Sequence, residues 1–218
     1  MKRMLIITLA LTMAAAALHA QPSGTHTIGA RGGIAAGFNS LNDDFGWGDD
    51  YYSAPNFNFG LYYAYAIIRN VAIQAELNVH TNQRLNANNN FRDPESSQST
   101  LELANFTYSS LDIPILLRLS TPRGRLGFLV GPHISIPLGS LSVSNHLHGV
   151  PRRNFTQDID NFATFGFTVG GMGSFPIGPI RLVTDARFVV DINGVQVNNT
   201  TVMNRRAFVV SLGLEMWI

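Results

Sequence analysis

The sequence predicts an all-β protein, an eight-stranded antiparallel up-and-down transmembrane β-barrel with short periplasmic turns and four long outer loops. First, eight segments alternate apolar side chains with polar or small ones at a period of two, the pattern of β-strands. Second, their connections alternate long and short, as in transmembrane barrels. Third, the face opposite the apolar one carries few charges, and they are of both signs. Each segment satisfies the roughly 9–11 residues that a tilted strand needs to cross a bilayer.

The bounds of the predicted strands are, in chain order, 25–38, 56–68, 71–81, 106–119, 126–138, 162–175, 180–190 and 205–218. Three connections are short turns, at 69–70, 120–124 and 176–179. Four connections are long loops, at 39–55, 82–105, 139–161 and 191–204. Because an even number of strands returns the chain to its starting side, both termini are predicted to lie with the short turns, in the periplasm.

The first three strands each have one apolar face. In the first strand this face consists of Ile28, Ala30, Gly32, Ile34, Ala36 and Phe38, and its glycines indicate close packing or a bend. The second strand is aromatic, with Phe57, Phe59, Leu61, Tyr63, Tyr65 and Ile67 on one face. The third sets Val71, Ile73, Ala75, Leu77 and Val79 against Gln74, Glu76, Asn78 and His80.

The fourth and fifth strands form the clearest hairpin, at residues 106–138. One face of the fourth strand is Leu111, Ile113, Ile115, Leu117 and Leu119, and the other is Asp112, Pro114, Leu116 and Arg118. After the turn the alternation restarts with Leu126, Phe128, Val130, Pro132, Ile134, Ile136 and Leu138. Pro114 and Pro137 mark bulges or edge-like positions.

The last three strands repeat the pattern. The apolar faces are Phe165, Phe167 and Val169 in the sixth strand and Leu182, Ala186 and Phe188 in the seventh. In the eighth strand the apolar face is Phe208, Val210, Leu212, Leu214, Met216 and Ile218. Aromatic residues gather at strand ends, where membrane barrels carry their interfacial girdles.

The interior face is predicted to hold a charge network. If the apolar face meets lipid, the opposite face collects four cations and four anions, Arg31, Arg118, Arg181 and Arg187 with Glu76, Asp112, Asp185 and Glu215. Unpaired charges in a narrow interior would cost several kcal/mol each, so a balanced set suits a filled lumen rather than a pore. We expect Asp112 and Arg118 to form one of the pairs. A soluble lipocalin-like barrel would turn the apolar face inward and would need more charge on the other face.

Composition narrows the class of protein. Residues 1–20 have a basic start, an apolar stretch and a small residue before Gln21, so they are predicted to be a signal peptide, with the barrel domain at 21–218. After cleavage 13 basic residues face 14 acidic ones, which argues against nucleic-acid binding. The chain has no Cys, which excludes disulfides, thiolate catalysis and thiolate metal sites.

Catalytic and metal-binding hypotheses are weaker than an interior hydrogen-bonding role. His80 or His133 with Ser135 and an acid would suit an esterase, but His133 and Ser135 lie about 7 Å apart on one strand. His146 and His148 share only a short spacing. We therefore predict no enzyme activity, no metal and no cofactor.

The first long loop combines acidic and aromatic residues. It resembles a Ca²⁺-binding loop but lacks the bidentate Glu of one. We predict instead an aromatic outer loop able to contact sugar or protein, formed by Phe45, Trp47, Tyr51 and Tyr52. The Asn-rich run 86–90 is predicted to be a loop tip.

Several runs resemble the PorT-like outer-membrane β-barrel domain family. They are Gly29–Gly33, Gln74–Leu77, Leu111–Leu117 (LDIPILL), Gly131–Ser135, Ala186–Phe188 and Ser211–Leu214. The resemblance spans residues 25–218 and implies an eight-stranded barrel in a Gram-negative outer membrane, and in one branch a part in a secretion apparatus. Barrels of this kind usually end in an aromatic residue that the assembly machinery reads, whereas this chain ends Met216-Trp217-Ile218.

The function predicted from the sequence is structural or partner-binding, through the outer loops. The alternatives are an accessory of protein secretion and an outer-membrane lipid hydrolase. The predicted partners are outer-membrane lipid, the barrel assembly machinery and an extracellular or periplasmic protein, with no nucleic acid.

Overall fold

The computed structural model describes most of the chain from residue 24 onward. The described residues are 24–37, 40–41, 51–92, 99–121, 124–147, 153–160, 162–197 and 200–218. The predicted signal peptide, residues 1–20, lies outside them.

Eight long strands close into one antiparallel barrel. They are β1 (His26–Gly37), β2 (Asn56–Ile68), β3 (Val71–Arg92), β4 (Ser99–Ser120), β5 (Leu126–Leu147), β6 (Thr164–Ile177), β7 (Ile180–Asp191) and β8 (Arg206–Trp217). Each strand pairs with the next along the chain, and β8 pairs with β1, from Thr27 opposite Trp217 to Gly37 opposite Ala207. This closure confirms the predicted fold class.

The short turns lie at the end of the barrel where β1 begins and β8 ends, which we call the turn end. They connect β2 to β3 at residues 69–70, β4 to β5 at 121–125, and β6 to β7 at 178–179. Gly178, with φ of 64°, gives the last turn its left-handed residue, so that turn needs two residues rather than the predicted four. The opposite end, where the long connections lie, is called the loop end.

The largest correction concerns the predicted loops at 82–105 and 139–161. Strands β3, β4 and β5 each have 22 residues, about twice what crosses a bilayer, and their pairing continues to Arg92 opposite Ser99. The Asn-rich run 86–90 is therefore strand and not a loop tip. Beyond the membrane a strand still gains ladder hydrogen bonds but needs no apolar face, so the alternation that reveals a strand is lost.

These extensions form what we call the extended wall. It consists of residues 83–92, 99–108 and 141–147 together with the short strands Tyr51–Ala54 and Arg153–Gln157. Tyr51–Ala54 pairs with β3, and Arg153–Gln157 pairs with β5, so five adjacent strands continue past the barrel on one side. Where the wall begins, the register shifts between His80 and Gln83 and between Thr107 and Ser109, as it does at β-bulges.

A smaller sheet occupies the loop end elsewhere. It contains the strands Ser40–Leu41, Val195–Val197 and Thr200–Asn204. The predicted loops 39–55 and 191–204 therefore also contain short strands.

The two faces of the barrel reverse the pattern of a soluble protein. Large apolar side chains point outward and are exposed, for example Phe57, Phe167 and Leu212, each more than half exposed. The buried residues of the described part are mostly polar or charged. Small clusters of apolar residues lie among them, and one of these clusters consists of Leu116, Leu129, Met172 and Val183. This arrangement suits a lipid exterior and rejects the lipocalin-like alternative. The described residues contain no helix long and apolar enough to span a membrane.

Gly29 on β1 makes room for a buried aromatic ring. A Cβ atom at this position would lie 2.2 Å from Cζ of Tyr62, so the tyrosine ring rests directly on the glycine. From there the Tyr62 hydroxyl donates a hydrogen bond of 3.1 Å to Oε2 of Glu215. A contrasting glycine, Gly171 on β6, faces outward, and a Cβ there would meet nothing closer than 3.9 Å.

We expect Gly29→Ala to lower the free energy of unfolding by about 1–3 kcal/mol, because the new methyl group forces Tyr62 away from the Glu215 carboxylate. The measurement is urea unfolding of the barrel refolded into lipid vesicles. Gly171→Ala is the matched control and should leave stability within about 0.5 kcal/mol of wild type. Equal losses in the two variants would contradict the proposed packing of Tyr62.

Candidate functional site

The lumen is the candidate functional site, since the barrel gathers its charged side chains there. Ten arginine, aspartate and glutamate side chains of the described residues, together with two histidines, interact in three groups spaced along the barrel axis. We name these groups the turn-end, central and loop-end clusters.

The turn-end cluster contains Arg118, Arg181 and Glu215. Arg118 forms a bidentate pair with Glu215, with Nη1 to Oε2 at 2.9 Å and Nη2 to Oε1 at 3.2 Å. Arg181 lies farther away, with Nη1 at 3.6 Å from Oε1 of the same carboxylate. Two cations thus share one anion, which Tyr62 also contacts.

The central cluster contains Arg31, Glu76, Asp185 and Arg187, from strands β1, β3 and β7. Glu76 binds Arg31 and lies 2.8 Å from Nη1 of Arg187. Asp185 lies 2.7 Å from Nε of Arg187 and 3.5 Å from Nη1 of Arg31. Asn78 donates a further hydrogen bond of 3.0 Å to Glu76. Two cations and two anions balance, as a buried network requires.

The loop-end cluster contains His80, Asp112, His133, Asp191 and Arg205. The Nη2 atom of Arg205 lies 2.9 Å from Asp112 and 3.1 Å from Asp191, so one guanidinium bridges two carboxylates. Each carboxylate also contacts an imidazole, Asp112 that of His80 at 3.3 Å and Asp191 that of His133 at 2.8 Å. All five residues are buried.

All eight charged residues predicted for the interior point into the lumen and lie in these clusters. Asp191 and Arg205, which complete the loop-end cluster, are not among the eight predicted interior charges. The alternation of the sequence could have identified both residues. Asp191 lies two residues after the inward Val189, and Arg205 lies two residues before the inward Ala207. The predicted strand limits at 190 and 205 left Asp191 in a loop and Arg205 at a strand end, which hid this continuity.

The predicted pair of Asp112 and Arg118 is wrong. The two residues lie six positions apart on β4, which places them about 20 Å apart along the strand. Arg118 belongs to the turn-end cluster and Asp112 to the loop-end cluster. Ionic partners in this barrel lie at one level of the lumen, either on facing strands or two residues apart on one strand as Asp185 and Arg187 do, and six positions along a strand exceed that reach.

The neighbours of Ser135, His80 and His133 test the esterase hypothesis. Asp112 lies between Ser135 and His80, accepting from Ser135 Oγ at 2.6 Å, so this imidazole does not activate that hydroxyl. Three other side chains, which were not predicted to interact, are hydrogen-bonded in the order of a catalytic triad. Thr168 Oγ1 lies 3.2 Å from Nδ1 of His133, and Nε2 of His133 contacts Asp191. Such an order alone does not make an enzyme, since a substrate must reach the hydroxyl.

The cavity beside Thr168 and His133 is very small. A cavity of about 20 Å³ lies between the central and loop-end clusters and is lined by His80, Asp112, His133, Thr168 and others. That volume accommodates one water molecule and no ester. Thr168 is 3% exposed and His133 is 2% exposed. The geometry therefore supports a hydrogen-bonded filling of the lumen over a hydrolytic site.

The predicted aromatic outer loop is only partly described. Phe45 and Trp47 lie outside the described residues. The backbone of Tyr51 and Tyr52 belongs to the extended wall, opposite Ala87 and Asn86 of β3. In the described parts of the chain, no group of three or more His, Asp or Glu residues is arranged to hold a metal ion.

The last residues of β8 alternate between the lumen and the outer face. Trp217 follows the inward parity of β8, and its indole ring lies 4.4 Å from Cζ of Arg181. Ile218 instead continues the outward apolar row of Leu214 and Met216.

Comparisons with known proteins agree with this architecture. Residues 19–196 match the family model of the outer membrane protein beta-barrel domain. No curated protein matches the chain.

Similar folds occur among solved structures. The outer membrane protein OprG from Pseudomonas aeruginosa is 9% identical, with a TM-score of 0.54 over 91% of this chain and 98% of that chain. Neisserial surface protein A is 17% identical, with a TM-score of 0.43 over 89% and 97%. Ail of Yersinia pestis, solved with the heparin analogue sucrose octasulfate, is 13% identical, with a TM-score of 0.43 over 89% and 100%. The likeness to OprG shows a shared fold.

Glu215→Gln should destabilise the barrel by about 3–5 kcal/mol, because it leaves two buried arginines without their shared carboxylate. Adding Arg118→Gln should recover part of this loss, since one unpaired cation disappears. The losses for Asp112→Asn and Arg118→Gln should instead add within about 0.5 kcal/mol, because they lie in different clusters. Urea unfolding of all five variants in lipid vesicles gives the two coupling energies. A larger coupling between Asp112 and Arg118 than between Arg118 and Glu215 would contradict the clusters.

Substitution of two adjacent arginines, Arg205 and Arg206, tests how much the loop-end cluster stabilises the barrel. Arg205→Gln should cost about 3–5 kcal/mol of unfolding free energy, because Asp112 and Asp191 lose the guanidinium that bridges them. Arg206, the next residue, is exposed on the opposite face, and Arg206→Gln should cost less than about 1 kcal/mol. The comparison uses the same unfolding assay. Similar losses in both variants would show that the bridge contributes little.

Proposed function

The chain belongs to the family of outer membrane protein beta-barrel domains, and on that premise we propose that it is an integral outer-membrane protein that binds a protein partner through its extended wall. The turn end then lies in the periplasm with both termini, and the wall lies outside. The short turns support this orientation, since barrels of this class have short turns on the periplasmic side.

The observation that carries the proposal is the length of the wall. Strands of 22 residues measure about 73 Å along their axes, and roughly half of that length is enough to cross the membrane. The remainder adds nothing to anchoring in lipid. Ordered strands that project beyond the membrane provide a stable surface for a partner, whereas an unstructured loop would first have to be ordered.

The filled lumen argues against transport. Its three clusters fill the barrel with ion pairs, and the cavity between two of them has room for one water molecule. Opening a path would separate buried ion pairs at a cost of several kcal/mol. We therefore favour a binding or structural role over a porin-like one, and over lipid hydrolysis.

A second candidate is an accessory role in protein secretion. It is supported by the resemblance of the run Leu111–Leu117 to PorT-like barrels. The two candidates differ in the side of the membrane on which the partner lies. Photo-crosslinking from residues of the wall and from the turn at 69–70 separates them: wall crosslinks support an outer partner, and turn crosslinks support a periplasmic one.

Replacing residues 86–105 with Asn-Gly should abolish partner binding while the barrel still folds. Leu85 and Phe106 are directly paired, so a two-residue type I′ turn can join them without changing the register below. The measurement is crosslinking and co-purification from outer membranes, compared with wild type. Faster migration of the unboiled variant on a gel is the control for barrel closure. Full retention of the wild-type partners by a closed variant would contradict a binding role for the wall.

Planar bilayer recordings test the filled lumen. We expect wild-type protein to add no stable conductance steps, because the described side chains of the three clusters fill the lumen and the cavity between two clusters is only about 20 Å³. The positive control is a porin reconstituted at the same protein-to-lipid ratio. Reproducible steps from the purified barrel would contradict the proposal and favour transport.

A further inference from the structure

The turn-end mouth of the lumen has an uncompensated cation. Glu215 is already occupied by a bidentate pair with Arg118 and by the hydroxyl of Tyr62. Arg181 reaches this carboxylate only at 3.6 Å, beyond hydrogen-bond distance. The cluster thus carries two positive charges against one negative charge.

Arg181 is also the most accessible side chain among these ion pairs. Its side chain is 12% exposed, whereas none of the others exceeds 7%. It lies one residue into β7, directly after the turn at 178–179, so it sits at the opening of the lumen. Its Nε and Nη1 atoms are buried, and neither has a hydrogen-bond partner among the described residues.

The guanidinium of Arg181 is held in a fixed orientation. The ring of Trp217 covers it, with 4.4 Å from Cζ to the ring centroid. Gly124, with φ of 63°, approaches closely as well, and a Cβ there would be 3.1 Å from Nη2. A guanidinium fixed in this way loses little entropy when it binds a planar or tetrahedral oxyanion through two donors.

We propose that Arg181 and Trp217 form a binding site for a small water-soluble oxyanion, a phosphate or a carboxylate, at the turn-end mouth of the barrel. The anion supplies the negative charge that the cluster lacks and accepts hydrogen bonds from Arg181. Trp217 borders the site and is about half exposed, so its ring lies next to the solvent from which an anion would enter. The site does not depend on the proposed partner binding, which concerns the other end of the barrel.

The test is a fluorescence titration of the full mature chain, refolded in a non-ionic detergent. The chain has two tryptophans, so a Trp47→Phe background leaves Trp217 as the single reporter. Sodium phosphate and sodium acetate are titrated separately against sodium chloride at matched ionic strength. We expect a saturable change with phosphate or acetate and none with chloride, and the stronger of the two identifies the ligand class.

Variants complete the test. Arg181→Gln should weaken the apparent affinity at least tenfold. Arg181→Lys should weaken the affinity less, because lysine keeps the positive charge but lacks the two parallel donors of the guanidinium. Arg206→Gln, at the loop end, is the matched control and should bind as wild type. Gel mobility of unboiled samples verifies that each variant is folded. A chloride response equal to that of phosphate and acetate, or unchanged affinity in folded Arg181→Gln, would overturn the proposal.

Discussion

Backbone hydrogen bonding in hydrocarbon is the constraint on which this structure depends. A strand in lipid finds no water to satisfy its N–H and C=O groups, so the sheet must close on itself. The pairing of β8 with β1 provides that closure. With eight strands, the enclosed space is just wide enough for side chains to fill it. The interior therefore has to be packed with groups that satisfy one another, and the pairing of its charges is a consequence of closure rather than a separate feature.

The three clusters also link strands that are distant in sequence. The central cluster joins β1, β3 and β7, and the turn-end cluster joins β4, β7 and β8. Each contact is correct only if every strand between its partners has the right register. A slip of one residue would turn these charges into the lipid, at a cost of several kcal/mol each. The lumen network thus selects one register, in addition to whatever stability it adds. The small residues beside it, such as Gly29, leave room for the large polar side chains.

The sequence predicted the membrane-embedded part of the fold well and the part beyond it poorly. Within the bilayer one face must be apolar, so Ile28 to Ile34 or Phe57 to Ile67 could be read directly as strands with an outward face. Past the bilayer this requirement ends, and residues 82–92 resemble a loop although they continue β3. The inward charges followed from parity alone, but their partners did not. The choice of Glu215 for Arg118 depends on how six other strands are staggered, which no local pattern encodes.

The extended wall makes the molecule directional in the plane of the membrane. A plain cylinder presents the same profile to every neighbour, whereas here five adjacent strands rise on one side and a small sheet occupies part of the rest. The barrel is therefore asymmetric about its axis. Rotation about the membrane normal costs little in a fluid bilayer, and this rotation decides which surface a neighbouring protein meets. Two such barrels side by side would differ in contact area according to their azimuth, so crowding alone would favour some orientations over others.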